Sequence, residues 1–261
     1  MTDSFETRGI SPRLPSSAPP PGPPSGVGAP PAPEPTGEEV GRLLTARKGF
    51  IGLVVAIVGV VIASAVVAIP FAAAGTDLDS GGFVIVATVV QDLVVIAAAY
   101  FLTADLGSPN ARSFGLRPFK SSAFGWIFSA LVAYLVLTSI YTVLVDPPSE
   151  QLPSGLEDAD QSLLVAVATG MLLIVVAPFA EEIFFRGFLY QAFRNSFGVL
   201  PGALLSALIF GAIHFEFFKL VQLAILGVIL ALLFEKTKSL WPPIILHAVN
   251  NTLAYIYLLS Q

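Results

Sequence analysis

Long apolar segments separated by short polar loops make up most of the chain from residue 49 onwards. Each segment is close to the roughly 20 residues that an α-helix needs to cross a hydrocarbon core about 30 Å thick. The pattern predicts seven spans, at residues 49–74, 82–103, 122–145, 162–181, 199–215, 219–234 and 240–259. Helices are expected because lipid-facing backbone groups must be satisfied within their own segment, and no ten-residue alternation suggests a barrel. The predicted fold class is all-α, a polytopic transmembrane helical bundle.

The loops between these segments alternate in charge. Basic residues precede the first span, join the second to the third, and follow the fourth and the sixth, whereas the other loops are acidic. Lys219, in a very short turn, is the exception. Because Lys and Arg accumulate in cytoplasmic loops, the pattern predicts a multi-pass cell-membrane protein with its N-terminus in the cytoplasm and its C-terminus outside.

Composition supports a membrane protein and divides the chain. The 261 residues are 55% hydrophobic and 12% charged, and cysteine is absent, which excludes disulfides and thiolate metal sites. No basic patch of the kind that neutralises phosphates is present, so nucleic-acid binding is not expected.

Residues 1–40 form a Pro-rich tail that we predict to be disordered. Residues 41–160 then hold N-terminal transmembrane helices, and residues 161–261 hold a core with polar motifs.

The fourth apolar segment ends in two acids and an arginine. Ionisable groups at membrane depth cost at least roughly 2.5–3.5 kcal/mol each, so they normally persist for a task or a partner. On a helix, Glu182 and Arg186 form an i,i+4 pair, whereas Glu181 points about 100° away from Glu182. The spacing therefore predicts that Arg186 neutralises Glu182 and leaves Glu181 to face something else. The alternative is one structural ion-pair cluster that fixes helix packing.

Both histidines of the chain fall in apolar segments. His214 closes the fifth segment, and His247 lies in the seventh with Asn251 four residues later on the same helical face. A lone histidine on an apolar helix is usually a core residue bonded to a carbonyl. A carboxylate, two imidazoles and an amide from three helices instead indicate a polar site within the bundle.

Helix rise provides a test of whether these groups can meet. A helix that descends from Glu181 and returns after a turn at Gly198 and Pro201 brings His214 level with Glu181, since the two legs are about 24 Å and 21 Å long. It also makes residues 182–198 an amphipathic extension towards the cytoplasm. With straight helices His247 lies lower than His214, so the sixth or seventh span must tilt or begin higher.

Asp92 lies near the middle of the second span. Two interpretations remain open, a fourth residue of the polar site or a packing acid that stays protonated. The second is favoured, because nothing nearby in the sequence identifies a partner.

Three motifs on successive segments resemble those of a known family. Glu181-Glu182-x-x-x-Arg186, Phe210-x-x-x-His214 and His247-x-x-x-Asn251, in that order, resemble the CPBP intramembrane proteases, the group of CAAX prenyl protease 2 and bacterial abortive-infection and bacteriocin-processing proteins. The resemblance covers roughly residues 165–257. It implies that residues 161–261 form a protease core with a conical intramembrane cavity.

The resemblance also implies roles for the individual residues. Glu181 would activate a water for peptide-bond hydrolysis, with support from Glu182 and Arg186. His214 would help to hold that water, and His247 and Asn251 would serve the scissile carbonyl or its oxyanion. General chemistry agrees, because a buried carboxylate can act as a base and imidazole and amide N–H groups can stabilise an oxyanion.

The cofactor prediction has two forms. The favoured form is a metal-free glutamate-and-water mechanism, which accounts for Asn251. The alternative is catalytic zinc held by Glu181, His214 and His247, since one carboxylate and two imidazoles are a sufficient ligand set.

The expected substrate is a membrane-associated peptide or protein, and the expected surroundings are the lipid bilayer; the sequence does not indicate an oligomeric state. A non-catalytic scaffold or immunity protein that binds a client in the same cavity is the main alternative. A proton-coupled transporter that uses Glu181, His214 and His247 as a relay is the other. It is disfavoured because the two halves show no inverted repeat.

Overall fold

The structure of the protein is a computed structural model that describes residues 35–78, 80–146 and 163–260. Residues 1–34 of the predicted tail and most of the loop after the third span lie outside this part. Within the described residues the chain is helical and contains no strand. We number the longer helices in chain order: α1 Gly37–Arg42, α2 Ala46–Ala73, α3 Gly81–Ala104, α4 Ala123–Val145, α5 Leu163–Phe197, α6 Val199–Ala212, α7 Phe217–Thr237 and α8 Trp241–Leu258. A short 3₁₀ turn, Ala111–Phe114, lies between α3 and α4.

Five of these helices are long and apolar enough to cross a membrane: α2, α3, α4, α5 and α7. The prediction of an all-α polytopic bundle is therefore confirmed. The apolar helix α6 is only 14 residues long, and α8 carries several polar side chains on its middle turns. The count of seven spans stays a prediction, although each predicted span corresponds to a helix.

The first spanning helix, α2, shows how a lipid-facing helix packs. Its buried residues are small, namely Gly49, Gly52 and Ala56, whereas its large aliphatic side chains are mostly exposed. Small residues let helix backbones approach closely in a membrane, where apolar side chains gain nothing by leaving the lipid. The helix α2 packs against α3 and against the C-terminal half of α5.

Helix α5 is much longer than the predicted span, because it continues from residue 181 to Phe197. The prediction that residues 182–198 form an amphipathic extension is wrong for the first part of this segment, since every residue from Ile183 to Tyr190 is buried. The charges of Glu181, Glu182 and Arg186 make the sequence look like the end of a span. Neighbouring helices cover these residues instead.

Two stretches of α5 have wider, π-helical turns, Leu172–Val176 and Ile183–Tyr190. Such turns expand the helix by one residue and often occur at functional sites. Pro178 follows the first stretch within the helix. The glutamates lie between the two stretches.

The predicted hairpin between α5 and α6 is present, with its turn at Gly198, whereas Pro201 lies in the first turn of α6. Gly198 has φ 91°, a left-handed conformation that favours glycine, and Val199 begins the next helix at once. Helices α6 and α7 then pack so closely that a Cβ at Gly211 would lie 2.6 Å from the Leu220 carbonyl oxygen. The helix α6 ends at Ala212, so His214 lies in the turn after it and not in the helix as predicted.

Candidate active site

A buried ion pair stands at the centre of the bundle. Glu182 Oε1 lies 2.9 Å from Arg186 Nη1, and their side chains are 0% and 1% exposed. The predicted i,i+4 pair is therefore present. The contact is one-sided. Among the described residues Glu182 Oε2 has no hydrogen-bond partner, and the Arg186 Nη1 contact with Oε1 lacks hydrogen-bond alignment. Arg186 Nη2 reaches the Gly227 carbonyl oxygen of α7 at 3.5 Å.

His247 contacts both glutamates. Its Nδ1 lies 2.9 Å from Glu182 Oε1, and its Nε2 lies 3.7 Å from Glu181 Oε2. The first distance is a hydrogen bond, and the second is too long for one. The Glu182 carboxylate accepts from Nδ1–H, which fixes the orientation of the imidazole and directs Nε2 towards Glu181.

The two glutamates differ in access. The Glu181 side chain is 22% exposed, whereas Glu182 is completely buried. Among the described residues, His247 is the one basic side chain within ion-pair distance of Glu181, at 3.7 Å. The geometry therefore separates a buried carboxylate held by two partners from an accessible one that faces an imidazole.

Helix α8 runs antiparallel to α5 and is joined to it at three levels. Besides His247 with Glu182, Asn251 Nδ2 donates to the Leu173 carbonyl oxygen at 2.9 Å, and Tyr255 OH donates to the Ala166 carbonyl oxygen at 2.8 Å. The donors lie four residues apart on one face of α8. Straight helices would place His247 lower in the bundle than His214. The contacts between α8 and α5 instead bring His247 level with the glutamates.

The Asn251 contact has a cause in the backbone of α5. In the wide turn Leu172–Val176, the Ala177 N–H bonds to the Leu172 carbonyl, and Pro178 has no N–H. The Leu173 carbonyl is thus left without its usual helical donor, and Asn251 supplies one. The sequence did not reveal this positioning contact, although Pro178 was its visible signal.

Phe210 joins the remaining members of the site. Its ring lies 5.1 Å from the His214 ring and 5.8 Å from the His247 ring, both edge to face. The Arg186 guanidinium lies 4.7 Å from the same ring centroid. His214 is partly buried, and its Nδ1 lies 2.7 Å from the Phe210 carbonyl oxygen. Arg186, His214 and His247 thus converge around Phe210, whose central position sequence reasoning missed, whereas a direct approach of His214 to Glu181 stays a prediction.

Asp92 lies next to this cluster. It is 3% exposed, and no described residue makes a hydrogen bond to its Oδ2. Its helix, α3, packs against the segment Ala177–Glu182 of α5. The role of Asp92, in the polar site or as a packing acid, stays a prediction.

The proposed zinc ligands do not form a ligand group. Among the described residues, no three His, Asp or Glu side chains are arranged to hold a metal ion. We therefore derive no chemical step through zinc from Glu181, His214 and His247.

The conical cavity stays a prediction. An apolar groove of about 440 Å³ lies between α4, α6 and α7 and is lined by residues such as Leu137, Leu208 and Leu220. None of the polar site residues lines this groove.

The fold and the site define a class: a polytopic helical membrane protein with carboxylates, imidazoles and a guanidinium gathered inside the bundle. Residues 163–253 match the family model Rce1-like, described as "Type II CAAX prenyl endopeptidase Rce1-like". The match confirms the resemblance drawn from the motifs. It covers about a third of the chain and includes every predicted site residue, namely Glu181, Glu182, Arg186, His214, His247 and Asn251, but not Asp92.

Two relatives are similar over part of their length. "Putative membrane peptidase YdiL" of Bacillus subtilis (strain 168) is 32% identical over 103 residues, which are 38% of this chain and 42% of that protein. An "Uncharacterized 24.3 kDa protein" of Escherichia coli is 27% identical over 137 residues, 51% of this chain and 63% of that protein. This chain thus spans less than two thirds of either relative. No solved structure gives a significant match.

Proposed function

We propose that the protein is an intramembrane endopeptidase that hydrolyses a peptide bond of a membrane-associated peptide or protein by means of a glutamate-activated water. The observation that carries the proposal is the position of His247 between the two glutamates, 2.9 Å from the buried one and 3.7 Å from the accessible one. The match of residues 163–253 to an endopeptidase family supports it. The proposed orientation keeps the N-terminus in the cytoplasm, as the loop charges predict.

In this mechanism Glu181 is the general base. It takes a proton from a water as the water oxygen attacks the scissile carbonyl carbon, and it later gives that proton to the leaving amine as the C–N bond breaks. A base must be accessible to water and substrate, and Glu181 is the accessible carboxylate of the pair. His214 is proposed to help hold the water.

Glu182, Arg186 and His247 form the supporting group. Glu182 accepts from His247 Nδ1–H and so orients the ring, as a buried carboxylate does for the histidine of a catalytic triad. Arg186 balances the charge of Glu182. In this proposal His247 Nε2–H donates to the developing oxyanion. Asn251 is the proposed second donor.

The test uses purified protein in nanodiscs with a library of membrane-tethered peptides, and mass spectrometry identifies the products. We expect Glu181→Gln to lower the cleavage rate by roughly 10²–10⁴, the usual contribution of a general base. The matched control is Glu216→Gln, which changes an exposed carboxylate before α7 and should leave the rate unchanged.

The outcomes separate the alternatives. Equal cleavage by wild type and Glu181→Gln would sink the assigned mechanism. Client binding without cleavage in both proteins would favour a scaffold, and substrate-driven proton flux would favour a transporter. For the cofactor, we expect full activity after exhaustive chelation and no stoichiometric zinc by elemental analysis; loss of activity that zinc restores would reverse that expectation.

A further inference from the structure

A basic cavity lies at one end of the bundle, where α4 begins and α7 ends. Its volume is about 370 Å³, and its lining includes Arg117, Lys120, Lys236, Lys238 and the indole of Trp126. The same end of the bundle holds the Arg194–Glu235 ion pair, which joins α5 to α7 at 2.7 Å. By loop charge this is the predicted cytoplasmic end.

The ion pairs leave part of this positive charge uncompensated. Arg117 contacts Glu38 at 3.0 Å, and Lys238 contacts Glu235. Among the described residues, no carboxylate lies within ion-pair distance of Lys120 or Lys236. Lys236 Nζ instead lies 4.6 Å from the centroid of the Trp126 ring. Lys120 and Lys236 thus line the cavity without a carboxylate counter-ion from the described residues, and Lys236 lies beside Trp126.

An apolar groove continues from this cavity. It has a volume of about 360 Å³ and shares Trp126 and Lys236 with the basic cavity. The rest of its lining is mainly aliphatic and comes from the facing surfaces of α4 and α7, including Ala130, Ile229 and Leu233. Both helices are apolar enough to cross a membrane, so the groove opens at bilayer depth.

We propose that this composite site binds one anionic phospholipid, with its phosphate beside Lys120 and Lys236 and an acyl chain in the groove between α4 and α7. Basic pockets between transmembrane helices on the cytoplasmic side are suited to anionic headgroups. Tryptophan at such a junction fits the boundary between headgroups and hydrocarbon. A free phosphate would use the basic cavity alone, whereas the continuous apolar groove matches a lipid. The site is separate from the proposed active site and does not depend on its activity.

The experiment uses the fact that the chain contains only two tryptophans. Trp241→Phe leaves Trp126 as the sole indole reporter at the junction of cavity and groove. The protein is placed in phosphatidylcholine nanodiscs that contain a fixed small fraction of either phosphatidylglycerol or phosphatidylcholine with brominated acyl chains, which quench nearby indoles. We expect brominated phosphatidylglycerol to quench Trp126 more strongly and with saturation.

Matched variants separate a built site from general surface charge. Lys120→Gln with Lys236→Gln should lower the preference for the anionic lipid by about tenfold, since each basic residue contributes to anionic-lipid binding. Arg47→Gln with Arg112→Gln removes two exposed cations of the same end that do not line the cavity, and should preserve the preference. Lys120→Arg with Lys236→Arg keeps both charges and should also preserve it. Circular dichroism and thermal midpoints verify that each variant is folded.

Three results would overturn the proposal. Equal quenching by the two brominated lipids would show that the site does not recognise the anionic headgroup. Equal losses in the cavity variant and in the Arg47/Arg112 control would show diffuse attraction to the surface. Full displacement of brominated phosphatidylglycerol by glycerol phosphate at the same concentration would show a free-phosphate site that does not need the groove.

Discussion

The N-terminal and C-terminal regions of the molecule each contain a Glu–Arg pair with the same i,i+4 spacing and nearly the same length. Glu38 and Arg42 in α1 are 3.1 Å apart with side chains 44% and 72% exposed. Glu182 and Arg186 in α5 are 2.9 Å apart and are 0% and 1% exposed. The sequence pattern is identical, so burial alone separates the two pairs.

The difference decides what each pair can do. An exposed pair gains little because water and salt screen it, and its partners remain hydrated if the pair breaks. A buried pair leaves an uncompensated charge in a low dielectric when one partner is removed. The N-terminal region accordingly uses its charges at the surface, whereas the C-terminal region uses them to order a site.

The largest predicted effect is at the buried pair. Arg186→Ala should lower the free energy of unfolding by about 3–5 kcal/mol and abolish activity, because it leaves Glu182 charged and buried. Glu182→Ala should do the same. Arg42→Ala removes the arginine of the exposed pair and should have no measurable effect. Unfolding in bicelles provides the measurement, and wild-type stability of Arg186→Ala would refute the pairing.

The next effect concerns Asn251, whose amide is the donor to the Leu173 carbonyl. As a lost oxyanion donor, Asn251→Ala should slow turnover by roughly 10²–10³. The structure adds a stability cost of about 1–3 kcal/mol for the orphaned carbonyl. Both stability and turnover are therefore expected to fall.

Thr252→Val is the control for Asn251, since Thr252 donates within its own helix, to the Ala248 carbonyl. A loss of stability in Asn251→Ala with normal turnover would remove Asn251 from the catalytic proposal. Slow turnover with normal stability would show that the Leu173 contact is dispensable.

A smaller effect tests how the two regions touch. A Cβ at Gly52 of α2 would lie 2.3 Å from the ring of Phe188, a completely buried residue of α5. Gly52→Ala should therefore lower the free energy of unfolding by about 1–3 kcal/mol through overpacking. Gly125→Ala in α4 is the control, because its Cβ would meet no atom within 4 Å. Equal thermal midpoints for the two variants would contradict the close α2–α5 contact.

The smallest effect is a pH dependence at the surface. The Arg117 hydrogen bond is the main cause that holds the pKa of Glu38 below its usual value of 4.5. Because the pKa of Glu38 is lower in the folded state, its contact with Arg117 stabilises the packing of α1 above pH 4.5. This contribution is lost as the pH falls through the lowered pKa. A spin label on a cysteine introduced at Leu43 should therefore become more mobile as the pH falls from 4.5 through the lowered pKa of Glu38.

Two variants test whether Glu38 is the group whose titration changes the mobility of the label. Glu38→Gln should make the label equally mobile above and below the window. Glu39→Gln removes the capping-box acid of α1, whose side chain accepts from the Thr36 N–H, and leaves the contact with Arg117 in place. A pH response that survives Glu38→Gln would assign the titration to another group.

Much of this architecture follows from local pattern. Apolar runs predicted every long helix, and i,i+4 spacing predicted the Glu182–Arg186 pair, because both depend on neighbours in sequence. The full length of α5 did not follow, since hydropathy treats Glu181 and Arg186 as the edge of the bilayer, whereas tertiary contacts bury the segment. The height of His247 also depended on contacts between helices that no single segment contains.

The wide turn at Leu172–Val176 has a consequence for the register of α5. One inserted residue in a helix of 3.6 residues per turn rotates everything beyond it by about 100° relative to the residues before it. Glu181 and Glu182 therefore point about 100° away from the direction they would have if the helix continued regularly from Leu163–Met171. Deleting a single apolar residue in this turn would keep the hydropathy of the span and still turn the carboxylates away from His247. The number of residues in a featureless aliphatic stretch is thus as important to the site as the charged residues themselves.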